Sequence, residues 1–477
     1  MKKQLLKMAL IAVLSCLSLQ VLAQDKTPVI TIETALTKNS SASIALIGVT
    51  TNLEIDYGNG TITPIKVSDE VPTELAEVKK FNFNATADNP VIKIYGEGVK
   101  LLYFKYPCKI KAIDLSNAKD LEVLDIDNAN FTDLKLDVSH CPKLNTLMVY
   151  GNMGLKSLDL SKNPLLKNVQ VQYTKIEDLD LSHLTQLETL YAFNSSVKAL
   201  DVSNSPNMKE LVAYETPQLG LVNVAGCSKL EKLWAHTAAI STLTLNGNNG
   251  LTDVQIESNP NLDHADFAQA PNMQTLLAGQ CAFKSIDLSN CSKLDTVELF
   301  GNNLSHLKIA QGSVLGKFFI FGNQLSACTL DSIYTALGKA PHVGTYIVAR
   351  AGDNSNPDLE KSKTQIATGK GYKVIDGLSN EEITGDGSGC TQGAVENIVG
   401  DGFVTLSPTP SPGIVHIDSK TLEVANITIY NMNGQQVAQF ENPGKSIDLS
   451  FLTNARYIAL VKLSNGKYYT ASILLNK

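Results

Sequence analysis

The chain has 477 residues, with 40 Lys and Arg against 47 Asp and Glu, and the formal charge of −7 argues against a nucleic-acid partner. Its seven histidines are scattered, with no His-Glu-x-x-His helix, no Gly-x-Ser-x-Gly elbow and no phosphate-cradling glycine loop. Composition therefore points away from an enzyme, and neither a cofactor nor a metal is expected.

Lys2, Lys3 and Lys7 precede an apolar run from Met8 to Leu22 that ends at Val21-Leu22-Ala23, before Gln24. Residues 1–23 read as a secretory signal peptide with a small residue at the cut. A lipoprotein signal ending at Cys16 is the rival, disfavoured because the chain stays apolar beyond it and Leu14 is bulky for that motif. Residues 24–100 carry alternating runs such as Val29-Ile30-Thr31-Ile32 and predict a small N-terminal β-domain that acts as a cap.

From Leu101 to Asn323 a frame returns about every 21–22 residues: Leu-x-x-Leu-x-Leu, twice per period. Leu144-x-x-Leu147-x-Val149 is followed by Leu155-x-x-Leu158-x-Leu160, and one period on by Leu166-x-x-Val169-x-Val171 and Ile176-x-x-Leu179-x-Leu181. This is the spacing of a leucine-rich-repeat solenoid over residues 101–325. Each strand is too short to bury its apolar face alone, so coils must stack. One polar side chain per coil must also satisfy the peptide groups turned inward. Counting nine from the first leucine selects Asn152, Thr174, Ser195, Thr216, Asn259, Cys281, Asn302 and Asn323. Ala238 breaks the series, leaving Thr237 or water to substitute.

The frame also sorts side chains to two faces. Second half-repeats turn Asp159 and Ser161, Asp180 and Ser182, Asp201 and Ser203, and Asp287 and Ser289 outward, a hydrated back with turn-forming side chains. First half-repeats turn out the pairs Met148/Tyr150, Gln170/Gln172, Tyr191/Phe193, Val212/Tyr214, Trp234/His236, Gln255/Glu257, Leu277/Gly279, Glu298/Phe300 and Phe319/Phe321. Stacked in register, Tyr191, Phe193, Tyr214, Trp234 and His236 form one aromatic patch on the concave face, with Tyr150 nearby and a second cluster at Phe300, Phe319 and Phe321. Exposed patches of this kind mark interaction sites, and Tyr and Trp are favoured anchors. The competing reading is that these rings only cover the sheet, or that Phe319 and Phe321 pack on a cap.

Cys141, Cys227 and Cys291 occupy equivalent places several coils apart, too far to bridge when coils stack about 4.8 Å apart, and read as small core residues. Residues 326–383, with helical spacing at 328–337 and a strand at Thr345–Val348, predict a C-terminal cap. A Gly-, Ser- and Asp-rich linker is placed at 384–402, and a Cys328–Cys390 disulfide is left open. Residues 403–477 read as a separate immunoglobulin-like β-sandwich, with hairpin signals at Asn433-Gly434 and Asn465-Gly466. The fold class is thus mainly β.

The ordered elements of that last segment carry a resemblance: Pro408-Thr409-Pro410 with Gly413, Ile427 to Gly434, Ile447-Asp448-Leu449-Ser450, Tyr457 and the terminal Lys477. It resembles the C-terminal sorting domain of type IX secretion cargo in the Bacteroidota, although Ser407-Pro408 replaces the usual Tyr-Pro opening and the glycine before the late Tyr is missing. The resemblance implies export across the outer membrane, removal of the domain by a sortase-like processing enzyme, and anchoring to surface lipopolysaccharide. The repeats, with Leu158-Asp159-Leu160-Ser161 and Asn323-Gln324-Leu325-Ser326, resemble internalin-like leucine-rich-repeat proteins. That likeness implies a cell-surface adhesin, in attachment or biofilm formation, whose partner is a host or bacterial surface protein or glycan. Polysaccharide or peptide capture for nutrient uptake, and self-association in a matrix, are the alternatives.

Overall fold

The computed structural model describes residues 26–49, 52–72, 77–105, 109–129, 135–390, 404–407, 411–419, 423–431, 435–464 and 468–477. Residues 1–23, expected to be a signal peptide, most of the expected linker, and Pro408, Pro410 and Gly434 lie outside the described residues. Among these residues no helix is long and apolar enough to cross a membrane. The chain divides after Gly387 into two compact units.

The first unit opens with two β-sheets. Ile30–Thr34 lies between Val91–Tyr95 and Ile110–Asp114 in a five-stranded antiparallel sheet, so the β-domain draws in residues beyond 100. Alternation drives the pairing: Ile30, Ile32, Ile92 and Ile94 are fully buried, while Thr31, Glu33, Val91 and Lys93 between and beside them are half-buried or exposed. In the second sheet Ser41–Gly48 pairs antiparallel with Val99–Lys105. Val99–Lys105 in turn pairs in parallel with Val123–Asp125, the first short repeat strand. One sheet therefore runs from the N-terminal domain into the repeats, and one core extends from Ile30 to Ile383.

The repeat strands of the long sheet span three residues each, from Thr146–Met148 to Lys317–Phe319, all parallel. In most of them only the central residue is fully buried, as with Leu147, Val169, Leu190, Leu233 and Val297. One buried side chain per strand cannot offset the entropy of ordering it, which is why coils exist only as a stack. Second half-repeats form shorter ribbons: Ala199–Asp201 with Leu221–Asn223 and Thr242–Thr244, then Ser285–Leu288 with His306–Ile309.

Two polar ladders hold the turns. In the first, Asn302 Nδ2 donates to Ala278 O at 2.8 Å on the preceding coil and to Leu299 O at 3.0 Å on its own. Its Oδ1 accepts from Phe283 N at 3.1 Å. Asn152, Asn259 and Asn323 repeat the two-carbonyl pattern, and Thr174, Ser195 and Thr216 make shorter versions. Cys281 takes its place in this series, its thiol donating to Ile256 O at 3.2 Å. At Ala238 the neighbouring Thr237 does not turn inward; it is exposed, and Asn259 of the next coil serves Ala235 O. Asn356 in the cap extends the ladder to Ile320 O.

The second ladder was not legible in the frame. Asn163 donates to Val138 O and Cys141 O at 2.9 Å each, and Asn248 to Val224 O and Cys227 O. Ser205 and the thiols of Cys227 and Cys291 donate at equivalent places. These cysteines are buried, as a core reading requires, but they also act as donors. The residue before each first-ladder position has positive φ: glycine at 151, 301 and 322, but Tyr173, Asn194, Glu215, Thr237, Ser258 and Gln280 elsewhere.

The cap begins with the helix Ala327–Ala336. Ser326 Oγ accepts from Thr329 N at its start, and the Lys370 ammonium donates to Tyr334 O, Thr335 O and Leu337 O at its end. Tyr346–Ala351 then adds to the long sheet in parallel beside Lys317–Phe319, and Lys373–Asp376 adds beside it. Residues 384–387, assigned to the linker from composition, instead hydrogen-bond to the cap: Gly385 N to Thr364 Oγ1, Asp386 N to Glu360 O and Gly387 N to Ser362 O. Cys328 and Cys390 are both disulfide-bonded.

The second unit is a sandwich of a three-stranded sheet and a four-stranded sheet, both antiparallel, around its own core. Its hairpins pair Val424–Asn431 with Gln436–Glu441 and Arg456–Leu463 with Tyr468–Leu474.

Candidate binding face of the long sheet

The second position after each repeat strand builds a column of side chains, one per coil. Phe193, Tyr214 and His236 stack in it, with centroids 4.6 and 4.8 Å apart and planes within 11° and 3°. That separation is the strand spacing itself, so register alone brings the rings face to face. Tyr173, a left-handed turn residue the frame did not select, closes the near end edge-on at 5.5 Å from Phe193. Tyr214 has both faces covered by its neighbours and Phe193 meets a ring on either side, so the middle of the column offers mainly edges to solvent.

Tyr191 and Trp234 sit on the strands, separated by Val212, which pairs with both. Their polar tips are engaged: Tyr191 Oη donates to Glu210 at 2.7 Å and Trp234 Nε1 to Asp253 at 2.8 Å. Burial first, then the Glu210 carboxylate, pushes the Tyr191 hydroxyl up to about 12. Lys232 Nζ lies 4.8 Å from the centre of the Trp234 ring. A ladder of ion pairs runs alongside, Lys209 with Glu188 at 2.6 Å and Lys232 with Glu210 at 3.3 Å. Strand alternation could have located Glu210 and Lys232, which occupy the outward place two residues before Val212 and Trp234, whereas Glu188 and Lys209 lie just before their strands begin.

Three outward assignments are corrected. Gln172 and Val212 are buried, at 5% and 6% exposure, and Gly279 is covered as well. Phe300 leans over Gly279, and a Cβ there would lie 2.7 Å from its ring. Tyr150 is brought to the column but not into the stack, because the buried Gln172 follows it. Burial and the neighbouring Asp127 raise its pKa.

At the far end Phe300 and Phe321 stack at 5.0 Å, and Phe319 faces Tyr346 of the cap at 6.4 Å. Phe319 and Phe321 therefore reach the cap yet stay half-exposed, lining an open groove of about 440 Å³ with Tyr346, Ile375 and Leu378. The cap side of this groove carries no repeat and could not be placed from the frame.

The aspartates of the opposite face are turn caps. Asp159, Asp180 and Asp287 each accept the amide of the serine two residues on at 2.9 Å, and Asp201 does so at 3.0 Å. Among the described residues no group of three or more His, Cys, Asp or Glu could hold a metal ion.

In the second unit Gly413 has φ +136° and a Cβ there would meet Ser450 Cα at 3.1 Å, so the close approach requires glycine. Tyr457 is buried and its hydroxyl donates to Thr453 O at 3.0 Å. The Lys477 ammonium is consumed by Ser450 O and Leu452 O.

A comparison with curated proteins finds no match. Among solved structures, the functional domain of InlJ from Listeria monocytogenes aligns at 18% identity over 77% of this chain and 69% of that one, with a TM-score of 0.39. InlP of the same organism aligns at 15% identity over 72% and 90%, TM-score 0.32. A leucine-rich-repeat protein of Leptospira interrogans aligns at 14% over 55% and 79%, TM-score 0.31. Residues 405–475 match the family described as the secretion system C-terminal sorting domain. The second unit is a type IX sorting domain, and the protein bearing it is exported by that machinery to the cell surface or extracellular space.

Proposed function

We propose that the protein is a surface-displayed, non-enzymatic adhesin that binds a protein partner through the face of the long sheet. The observation that carries this reading is the continuous aromatic surface formed in register by Tyr191, Phe193, Tyr214, Trp234 and His236. A protein partner is favoured over a glycan by the stacking. A sugar ring needs an open aromatic face, whereas the faces of Phe193 and Tyr214 are spent on each other and on His236. Edges, a Trp body and paired charges suit a protein surface, where buried aromatic anchors contribute about 2 kcal/mol or more each.

The test is binding of the purified protein to panels of host proteins, bacterial-surface proteins and glycans, beside a Tyr191→Ala/Trp234→Ala double variant with unchanged far-UV circular dichroism. A protein ligand held by the native chain and weakened at least tenfold in the variant is the expected result. Equal binding by both would move the site off this face. Glycan capture alone would favour a role in nutrient uptake, and binding only to itself a role in a matrix.

A further inference from the structure

The groove between the last repeat and the cap is built differently from the stacked patch. Its floor is formed by Phe300, Phe319 and Phe321, and its far wall by Tyr346, Ile375 and Leu378. The two charged residues that line it neutralise each other, Lys317 pairing with Glu298 while its ammonium lies 4.8 Å from the Phe319 ring centre. No free charge is left to draw a charged ligand. The volume of about 440 Å³ falls within the ~300–1,000 Å³ typical of ligand pockets, which are likewise lined mostly by apolar side chains.

Leu378 at the lip is 78% exposed, a large apolar side chain held in water. It is held there by construction. Asp376 Oδ1 accepts the amides of Leu378 at 2.9 Å, Gly352 at 3.3 Å and Ser379 at 3.4 Å, and Arg350 Nε donates to Oδ2 at 2.8 Å. The Leu378 amide foremost, then Arg350, holds the Asp376 carboxyl down at about 2. Gly377 brings the turn so close to Val348 that a Cβ would lie 2.7 Å from its methyl. A rigid turn thus fixes an exposed leucine opposite exposed ring surface.

We propose that this groove takes a bulky uncharged side chain, aromatic or leucine-like, of the protein partner. It serves as the anchoring pocket of the long-sheet face, and the inference rests on the protein-binding reading above. Largely apolar walls, with Asn380 as a polar lining residue, and the absence of unpaired charge select that occupant over a cation or an anion.

The probes are N-acetyl-tryptophanamide and N-acetyl-leucinamide, with N-acetyl-lysinamide and maltotriose as contrasts, titrated into the full chain and followed by saturation-transfer NMR. The first two should bind and the contrasts should not. Leu378→Asp and Phe319→Ala should each weaken binding about tenfold. Val343→Asp, which removes another exposed apolar side chain, should leave it unchanged. Absence of transfer to either apolar probe, insensitivity to both groove variants, or preference for maltotriose would overturn the proposal. So would a dimer in sedimentation velocity that Leu378→Asp disperses, since the groove would then belong to a second copy. These titrations need no partner, so a groove that binds while the panels stay silent separates this inference from the wider reading. Partner binding indifferent to Leu378→Asp separates them the other way.

Discussion

Aspartate meets two fates in the repeats. On the back, Asp159 and Asp180 stand in water beside the serine two residues on, whose amide (for Asp159) or hydroxyl (for Asp180) foremost holds the carboxyl below the usual range. On the long-sheet face Asp125, in register with Met148, is 7% exposed, and burial followed by the charge of Asp127 lifts it to about 7. The same frame places both residues, so the spacing fixes where a side chain points but not whether water reaches it. The difference lies in neighbours. Turn residues surround the back aspartates, whereas Asp125 pairs with Tyr103 on one side and Met148 on the other.

The largest expected effect tests what the two faces share. Asn302→Leu strips two carbonyls and one amide of their partner. It should cost on the order of 3 kcal/mol in denaturant unfolding, and a change under about 0.5 kcal/mol would show that the ladder is not what holds the coils. Next is Asp125. Its folded pKa is raised, so between about 4 and 7 the folded state binds more protons than the unfolded one. Stability should fall as pH rises through that window. Asp125→Asn should flatten the fall and raise Tm at pH 8 by the equivalent of about 2 kcal/mol. The back aspartates have the opposite sign, and their contribution is lost only as pH drops below the ordinary carboxylate range. A Tm in Asp125→Asn that tracks the native protein from pH 5 to 8 would refute the contrast. Smallest is Thr237, β-branched at φ 53°. Thr237→Gly should stabilise by about 1 kcal/mol in the same unfolding assay, and destabilisation would mean its contact with His236 outweighs the strain.

Much of the fold was legible because the period is short and the burial rule absolute. Leu147, Leu190 and Val297 announce themselves by spacing, and Asn152 to Asn323 by being polar where the frame demands a donor. The second ladder stayed hidden because it mixes Asn163 and Ser205 with Cys227, whose thiol reads as apolar but donates a hydrogen bond. Gln172 and Val212 were misplaced because period-two alternation gives direction only, and larger neighbours closed over them. The groove needed tertiary structure outright: Leu378 lines it opposite Phe319 although 58 residues intervene, most of them beyond the last repeat.

The four buried ladder and core thiols have a chemical consequence. Burial lifts Cys141 and Cys227 to about 12, and Cys281 and Cys291 to about 11. Scrambling and peroxide attack both require the thiolate, which at neutral pH these groups scarcely populate, and all four are sealed from solvent. An exported protein can thus carry unpaired cysteine through an oxidising environment without mispairing, its durability there set by packing rather than by a reductant.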